Sequence, residues 1–198
     1  MRRTLHWVIL TIVFCTLQPK FVFAQSKSEG SQETQADGDT YDEGTIFDAA
    51  SNFFGGSTEG LAKVIQKVFN DLGQPNAYIA GEEISGAFVV GLRYGDGKLT
   101  HIKLGERRVY WKGPSAGFDF GGNASKSFTL IYHLNELDPL FQRFPGIDGS
   151  IYYVGGVGVN YQQRNDIILA PIRLGVGLRA GVNVGYLHYT ENRSWNPF

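Results

Sequence analysis

The chain has 198 residues, including 26 Gly, 14 Phe, 10 Tyr, 3 Trp and one Cys. Apolar residues make up 42% and charged residues 19%, with a formal net charge of -1, so there is material for a real core. A lone Cys excludes a disulfide scaffold and a Cys-based zinc site, the glycines keep no three-residue period and so exclude collagen, and the charge argues against a general nucleic-acid binder.

Residues 1–24 read as a secretory signal peptide. Arg2 and Arg3 form a charged start, Trp7 to Leu17 an apolar run, and Val22-Phe23-Ala24 supplies a cleavage site between Ala24 and Gln25. The run is about half of the ~20 residues that a membrane-spanning helix needs, so an uncleaved anchor is the weaker reading. Cys15 follows Phe14, where a lipid-attachment site wants a small residue, and the Arg pair lacks a twin-arginine context. Cleavage would leave a chain without cysteine, which suits an oxidising compartment and points to a Gram-negative periplasm.

Residues 25–44 form an acidic segment with Glu29, Glu33, Asp37, Asp39, Asp42 and Glu43 against the single base Lys27. So few apolar residues cannot offset ordering entropy, and disorder is expected up to about Tyr41. A solvated spacer is the plainer reading, a docking segment the sharper one. Residues 45–75 are helical in pattern. Ile46, Phe47, Ala50, Phe53 and Phe54 make a stripe ended by Gly55-Gly56. Leu61, Val64, Ile65, Val68 and Leu72 define an amphipathic helix over 58–72, capped by Ser57 or Thr58 and stopped by Gly73 and Pro75. Packing on a sheet is expected of it, since its polar face is only weakly basic for a membrane surface.

From Tyr78 the period becomes two. Ile84, Gly86, Phe88, Val90, Leu92 and Tyr94 share a face, and Gly95-Asp96-Gly97 predicts a hairpin turn into 99–104. Val109 and Trp111 alternate with Arg108, Tyr110 and Lys112 before a second turn at Gly113-Pro114. Phe128, Leu130, Tyr132 and Leu134 mark another strand, and 135–147 a loop with room for one helical turn. Three long strands complete the pattern, over 151–161, 168–178 and 180–186, the first two joined by Arg164-Asn165-Asp166. The fold class predicted is mainly β: a small antiparallel β-barrel of about eight strands over 76–198, with one amphipathic α-helix N-terminal to it. The glycines would permit tight coiling and leave room for aromatics from neighbouring strands.

No chemical motif is convincing. Gly113-Pro114-Ser115-Ala116-Gly117 matches G-x-S-x-G, with Asp138 or Asp148 and His188 as conceivable partners, but the residues after it alternate as a strand. Gly175-x-Gly177-x-x-x-Gly181 lacks the helix a dinucleotide site requires. His101, His133 and His188 fall on separate strands without metal-ligand spacing. Glu82 and Glu83 point to opposite faces of any strand and suit a turn or edge better than an acid/base pair. No catalytic residue, metal or cofactor is expected. Arg107, Arg108, Trp111 and Lys112 cluster charge and aromatic surface, and are the candidate ligand-binding set for an anionic sugar or lipid headgroup. Charge protection of an edge strand is the plainer account of them.

Several segments together are more specific: the signal peptide, the acidic segment, GPSAGFDFGGNA (113–124), YYVGGVGVNY (152–161) and APIRLGVGLRAGVNVGYL (170–187). They resemble the envelope integrity protein A (EipA-like) family over about residues 60–198. The resemblance implies a small β-barrel, a periplasmic location and a part in envelope integrity linked to surface polysaccharide. It implies no reaction and no catalytic residue. The glycine-rich alternation is also similar, more weakly, to the SYLF lipid-binding family. The expected protein is thus a monomeric, non-enzymatic periplasmic one, not integral to the membrane. Its expected partner is an envelope lipid, a surface polysaccharide or a periplasmic protein, and not a nucleic acid. An outer-membrane barrel is the alternative: Phe198 at the end suits it, but Pro197 and several short strands do not. A Ser115-dependent esterase is the remote one.

Overall fold

A computed structural model describes residues 38–119, 125–174, 185–194 and 196, except for the side chains of 85–91 and 115–119. The expected signal peptide with its Ala24–Gln25 cleavage site, the segment 25–37, the Gly175–Gly181 pattern and the terminal Phe198 lie outside the described residues.

Two helices precede the sheet, where the sequence-based fold class counts one. α1 (Glu43–Phe54) begins because Asp42 caps it: Thr45 N donates to Asp42 Oδ1 at 2.9 Å. Gly55, at φ 88°, ends it. α2 (Glu59–Leu72) is capped by Thr58, whose Oγ1 accepts from Leu61 N at 3.1 Å, and stops at Gly73. The start of the fold also moves forward relative to the expected boundary at 44. Tyr41 N donates to Pro75 O at 2.8 Å, Tyr41 packs edge-on against Tyr78, and Asp39 pairs with Lys103 at 2.5 Å. One aromatic anchor and one cap fix these few residues, too short a stretch for composition to register.

Nine strands are present among the described residues, all paired antiparallel: β1 (Ala77–His101), β2 (Gly105–Asp119), β3 (Ser125–Tyr132), β4 (Arg143–Pro145), β5 (Tyr152–Val154), β6 (Val157–Val159), β7 (Gln162–Arg164), β8 (Ile167–Leu174) and β9 (Tyr186–Thr190). The order is β4-β9-β2-β1-β3-β8-β6-β5, with β7 also on β8. A bridge between Gly146 and Gln162, with Ile147 N donating to Tyr161 O at 2.9 Å, links the end of β4 to β7. The sheet is therefore strongly curled, and its two sides meet at that bridge.

Two expected turns lie inside strands, and one expected strand contains a turn. Gly95-Asp96-Gly97 is not a turn but the interior of β1, which runs on to His101. These glycines serve close approach instead. A Cβ on Gly95 would lie 2.2 Å from the Trp111 indole, and one on Gly97 2.6 Å from Ala80 O. The real turn, at 102–104, is held by His101. Its Nδ1 accepts from Lys103 N and Leu104 N, and its Nε2 lies 2.6 Å from Leu134 O. Gly113-Pro114 likewise lies inside β2, where Pro114 sits beyond the short β9 pairing at Tyr110–Lys112. The long strand expected over 151–161 is a hairpin, β5–β6, because Gly155 (φ 56°) and Gly156 (φ 82°) make its turn.

The two faces of the sheet carry separate cores. Phe128, Leu130 and Tyr132 of β3, Ala170 and Ile172 of β8 and Val157 and Val159 of β6 pack against Ile46, Leu61, Val64, Ile65 and Val68 of the helices. The alternate residues, among them Ala77, Ile79, Leu99, Val109, Ile131, Leu169, Leu187 and Phe144, form the second core. Phe144 of β4 and Leu169 of β8 come from distant places in the strand order, so this second face is the inside of the curl.

Candidate functional site

The inside of the curl is not wholly apolar. Along β1 the inward positions run Ala77, Ile79, Gly81 and Glu83, and the Glu83 side chain is buried. Arg173 of β8 donates from Nε to Glu83 Oε1 at 2.5 Å and from Nη2 to Oε2 at 3.4 Å. Arg93 approaches the same carboxylate at 3.6 Å, and Trp111 Nε1 donates to it at 3.2 Å. Asn160 Oδ1 accepts from Arg173 Nη1 at 3.2 Å. β1, β2, β8 and the β6–β7 link thus converge on one carboxylate.

Burial alone would push the Glu83 carboxyl up, but the adjacent Arg173 and Arg93 charges and the donated hydrogen bonds outweigh it and hold it at about 2. Such a group is a fixed anion. It is poorly suited to general acid or base work near neutrality, which wants a pKa near the working pH. Tyr189, nearby on β9, is pushed up to about 12, chiefly by burial. Two amide atoms on the buried side chains of Asn160 and Gln162, Nδ2 and Oε1 respectively, have no partner among the described residues.

The four expected ligand-binding residues are not brought together. Trp111 points inward and is buried; its ring lies over Gly95, its cross-strand partner, and also against Gly81. Lys112 points outward but is covered by the C-terminal segment, donating to Ser194 Oγ at 3.0 Å and to Asn196 O. Arg107 and Arg108 remain exposed, each paired with an acid: Arg107 with Glu191 at 3.5 Å and Arg108 with Asp96. Arg193 shares Asp96 at 3.3 Å, and both Arg108 and Arg193 lie over the Tyr110 ring. The alternation of β2 separates Trp111, which turns in, from Arg108 and Lys112, which turn out, while Arg107 lies near the start of the strand, where both sides are exposed. Arg107 and Arg108 lie past the end of the β9 pairing, which covers Tyr110–Lys112, so on that side they are edge positions, as charge protection of an edge requires.

Glu82 and Glu83 do face oppositely; they pair with Lys126 and Ser125 at the end of the β1–β3 ladder. Sequence reasoning missed the Glu83 site. The signal available was charge at inward positions of apolar strands: Glu83, Arg93 and Arg173. Ser115 is paired with Gly91 within β2, so the G-x-S-x-G segment forms no strand-to-helix elbow. No group of His, Cys, Asp and Glu among the described residues is placed to hold a metal. No described helix is long and apolar enough to cross a membrane.

These features define a mainly β protein with a curled antiparallel sheet, two covering helices and an ion-paired interior. The chain belongs to the envelope integrity protein A family, whose model, EipA, matches residues 39–198. Its structure is similar to the crystal structure of a β-barrel-like, uncharacterized protein from Brucella abortus, at 43% sequence identity and a TM-score of 0.75, covering 81% of this chain and 100% of that one. No curated protein matches the chain.

Proposed function

We propose that this is a soluble, non-enzymatic periplasmic protein that supports cell-envelope integrity by binding an envelope component, a lipid in preference to a surface polysaccharide or a protein partner. The family assignment carries the envelope role. The sequence pattern of 1–24 supports export. The Glu83 cluster supports a binding or structural role over catalysis, because its carboxylate is already satisfied by two guanidinium groups and an indole. In this reading the curled sheet closes as a small barrel around that cluster.

Fractionation and loss of the gene test this together. The expected result is release by osmotic shock, with deletion cells more sensitive to detergent and bile salt. Recovery only after detergent extraction of outer membranes would favour the integral-barrel alternative, and unchanged sensitivity would remove the envelope role. Hydrolysis of ester probes that is lost in Ser115→Ala would overturn the non-enzymatic reading.

A further inference from the structure

The inner face of β5, β6 and β8 runs from solvent to the buried ion cluster. Register sets Tyr153, Gly158 and Arg173 side by side across the three strands. Paired residues share a face, and the Arg173 side chain meets Glu83 inside the curl, so Tyr153 lies on that inner face too. Its neighbours Tyr152 and Val154 pack the other way, against the helix-side core. Along this row exposure falls from 37% at Tyr153, through a half-buried Gly158, to 9% at Arg173. Gly158 places no side chain between the two, so the cluster is approached from the β5 side.

Asn160 and Gln162 continue this face: Val159 belongs to the helix-side core, and Gln162 pairs with Leu169 of the inner core. Both are buried, 6% and 2% exposed, yet Asn160 Nδ2 and Gln162 Oε1 have no partner among the described residues. The Asn160 amide cannot simply be turned over, because its Oδ1 accepts from Arg173 Nη1 at 3.2 Å. A buried polar atom left unmet is costly, so these two call for a partner. One is a free donor and the other a free acceptor, two residues apart on one face, about 7 Å along the strand. A hydroxyl both donates and accepts, and several hydroxyls on one frame can answer both atoms at once. The adjacent Arg173 and Glu83 charges already answer each other, so the open valences are those of neutral amides. The exposed Tyr153 ring at the entrance offers a flat apolar surface for the C–H face of a sugar ring.

We propose that the inner face beside Asn160 and Gln162 binds a neutral glycosyl unit, which enters past Tyr153 and Gly158. Its hydroxyls accept from Asn160 Nδ2 and donate to Gln162 Oε1, and its ring covers Tyr153. Two envelope sources carry this chemistry, the headgroup of a glycolipid and a residue of a polysaccharide. The inference rests on the envelope-binding reading above and names the chemical group recognised.

The test is a titration of the purified, isotope-labelled chain with the methyl glycosides of glucose, galactose and N-acetylglucosamine, read at the side-chain amide signals of Asn160 and Gln162. Parallel arms use phosphatidylcholine vesicles with and without glucosyl diacylglycerol, and dextran. A saturable shift of both amide signals with at least one glycoside is expected. Gln162→Met, which keeps the side chain's length but not its acceptor, should weaken binding about tenfold. Tyr153→Ala, at an exposed position and with an unchanged circular dichroism spectrum, should weaken it about fivefold. Added binding to glucosyl vesicles supports the inference and assigns the site to a glycolipid headgroup; binding to dextran supports it and assigns the site to a polysaccharide. No glycoside shift, or a shift indifferent to either substitution in its folded form, overturns it. A long-lived water that stays on the Asn160 amide at saturating glycoside also overturns it and gives both amides to solvent. Vesicle or dextran binding without a glycoside shift overturns it and leaves the envelope-binding reading standing, whereas a blank in every arm overturns it and leaves that reading only a protein partner.

Discussion

Arg173 reaches Glu83 across the inside of the sheet, at 2.5 Å, although β8 and β1 are not neighbours and β3 separates them. The pair therefore ties together strands that share no backbone ladder. Continuum reasoning warns that a buried ion pair need not add net stability, but breaking one by removing a single partner is costly.

Glu83→Gln should therefore destabilise the protein by about 3–5 kcal/mol, since Arg173 and Arg93 would keep their charges without the carboxylate. Chemical denaturation at neutral pH measures this. Replacing Glu83 and Arg173 together with Leu and Met should cost less than Glu83→Gln alone. A loss below about 1 kcal/mol for the single variant would show that solvent reaches the cluster.

The same carboxylate sets an acid limit. Its folded value of about 2 lies below the ordinary 4.5, so its contribution is complete above about 4.5 and is lost as pH falls towards 2. The shift corresponds to about 3 kcal/mol. Denaturation midpoints should fall steeply between pH 4.5 and 2 in the wild type and more shallowly in Glu83→Gln. Parallel curves would exclude Glu83 as the source.

Gly95→Ala tests the slot that holds Trp111. A Cβ there meets the indole at 2.2 Å, whereas one on Gly56 meets nothing within 4 Å. The expected cost is about 1–3 kcal/mol at Gly95 from overpacking. At Gly56 the thermal midpoint should hardly move. Trp111→Phe in the Gly95→Ala background should recover part of the loss by making room, although it also removes the hydrogen bond to Glu83.

Asp42→Ala removes the α1 cap. The expected loss is about 1 kcal/mol, concentrated in the first turn. Hydrogen exchange of amides around Thr45 should accelerate while those of β3 stay protected. Uniform acceleration through the sheet would mean that α1 is required for the whole fold.

The sequence conveyed the two periodicities well. The α2 stripe of Leu61, Val64, Ile65 and Val68 is buried as its spacing predicts, and the inward–outward alternation of Val109, Tyr110 and Trp111 follows the pleat. It misled wherever glycine had two uses. Gly95 and Gly97 look like turn glycines, yet they are there so that Trp111 and the start of β1 can approach the backbone; Gly155 and Gly156 look like strand glycines, yet they make a turn. The difference lies in what packs against each one, which is a tertiary property. The candidate site was legible only in part for the same reason. Trp111 and Lys112 are neighbours in the chain but lie on opposite faces of β2, and Glu83 and Arg173 are ninety positions apart yet in contact.

That separation bears on the order of events during synthesis. A chain that emerges amino end first presents β1 long before β8. Until Arg173 follows, the Glu83 carboxylate keeps more favourable company in water than inside an incomplete sheet, and closing so distant a contact carries a heavy entropic cost. The interior cannot set early. Under the export proposed above, such a late-arriving partner would work as a timer, keeping the first strand soft until nearly all of the chain had passed the translocase.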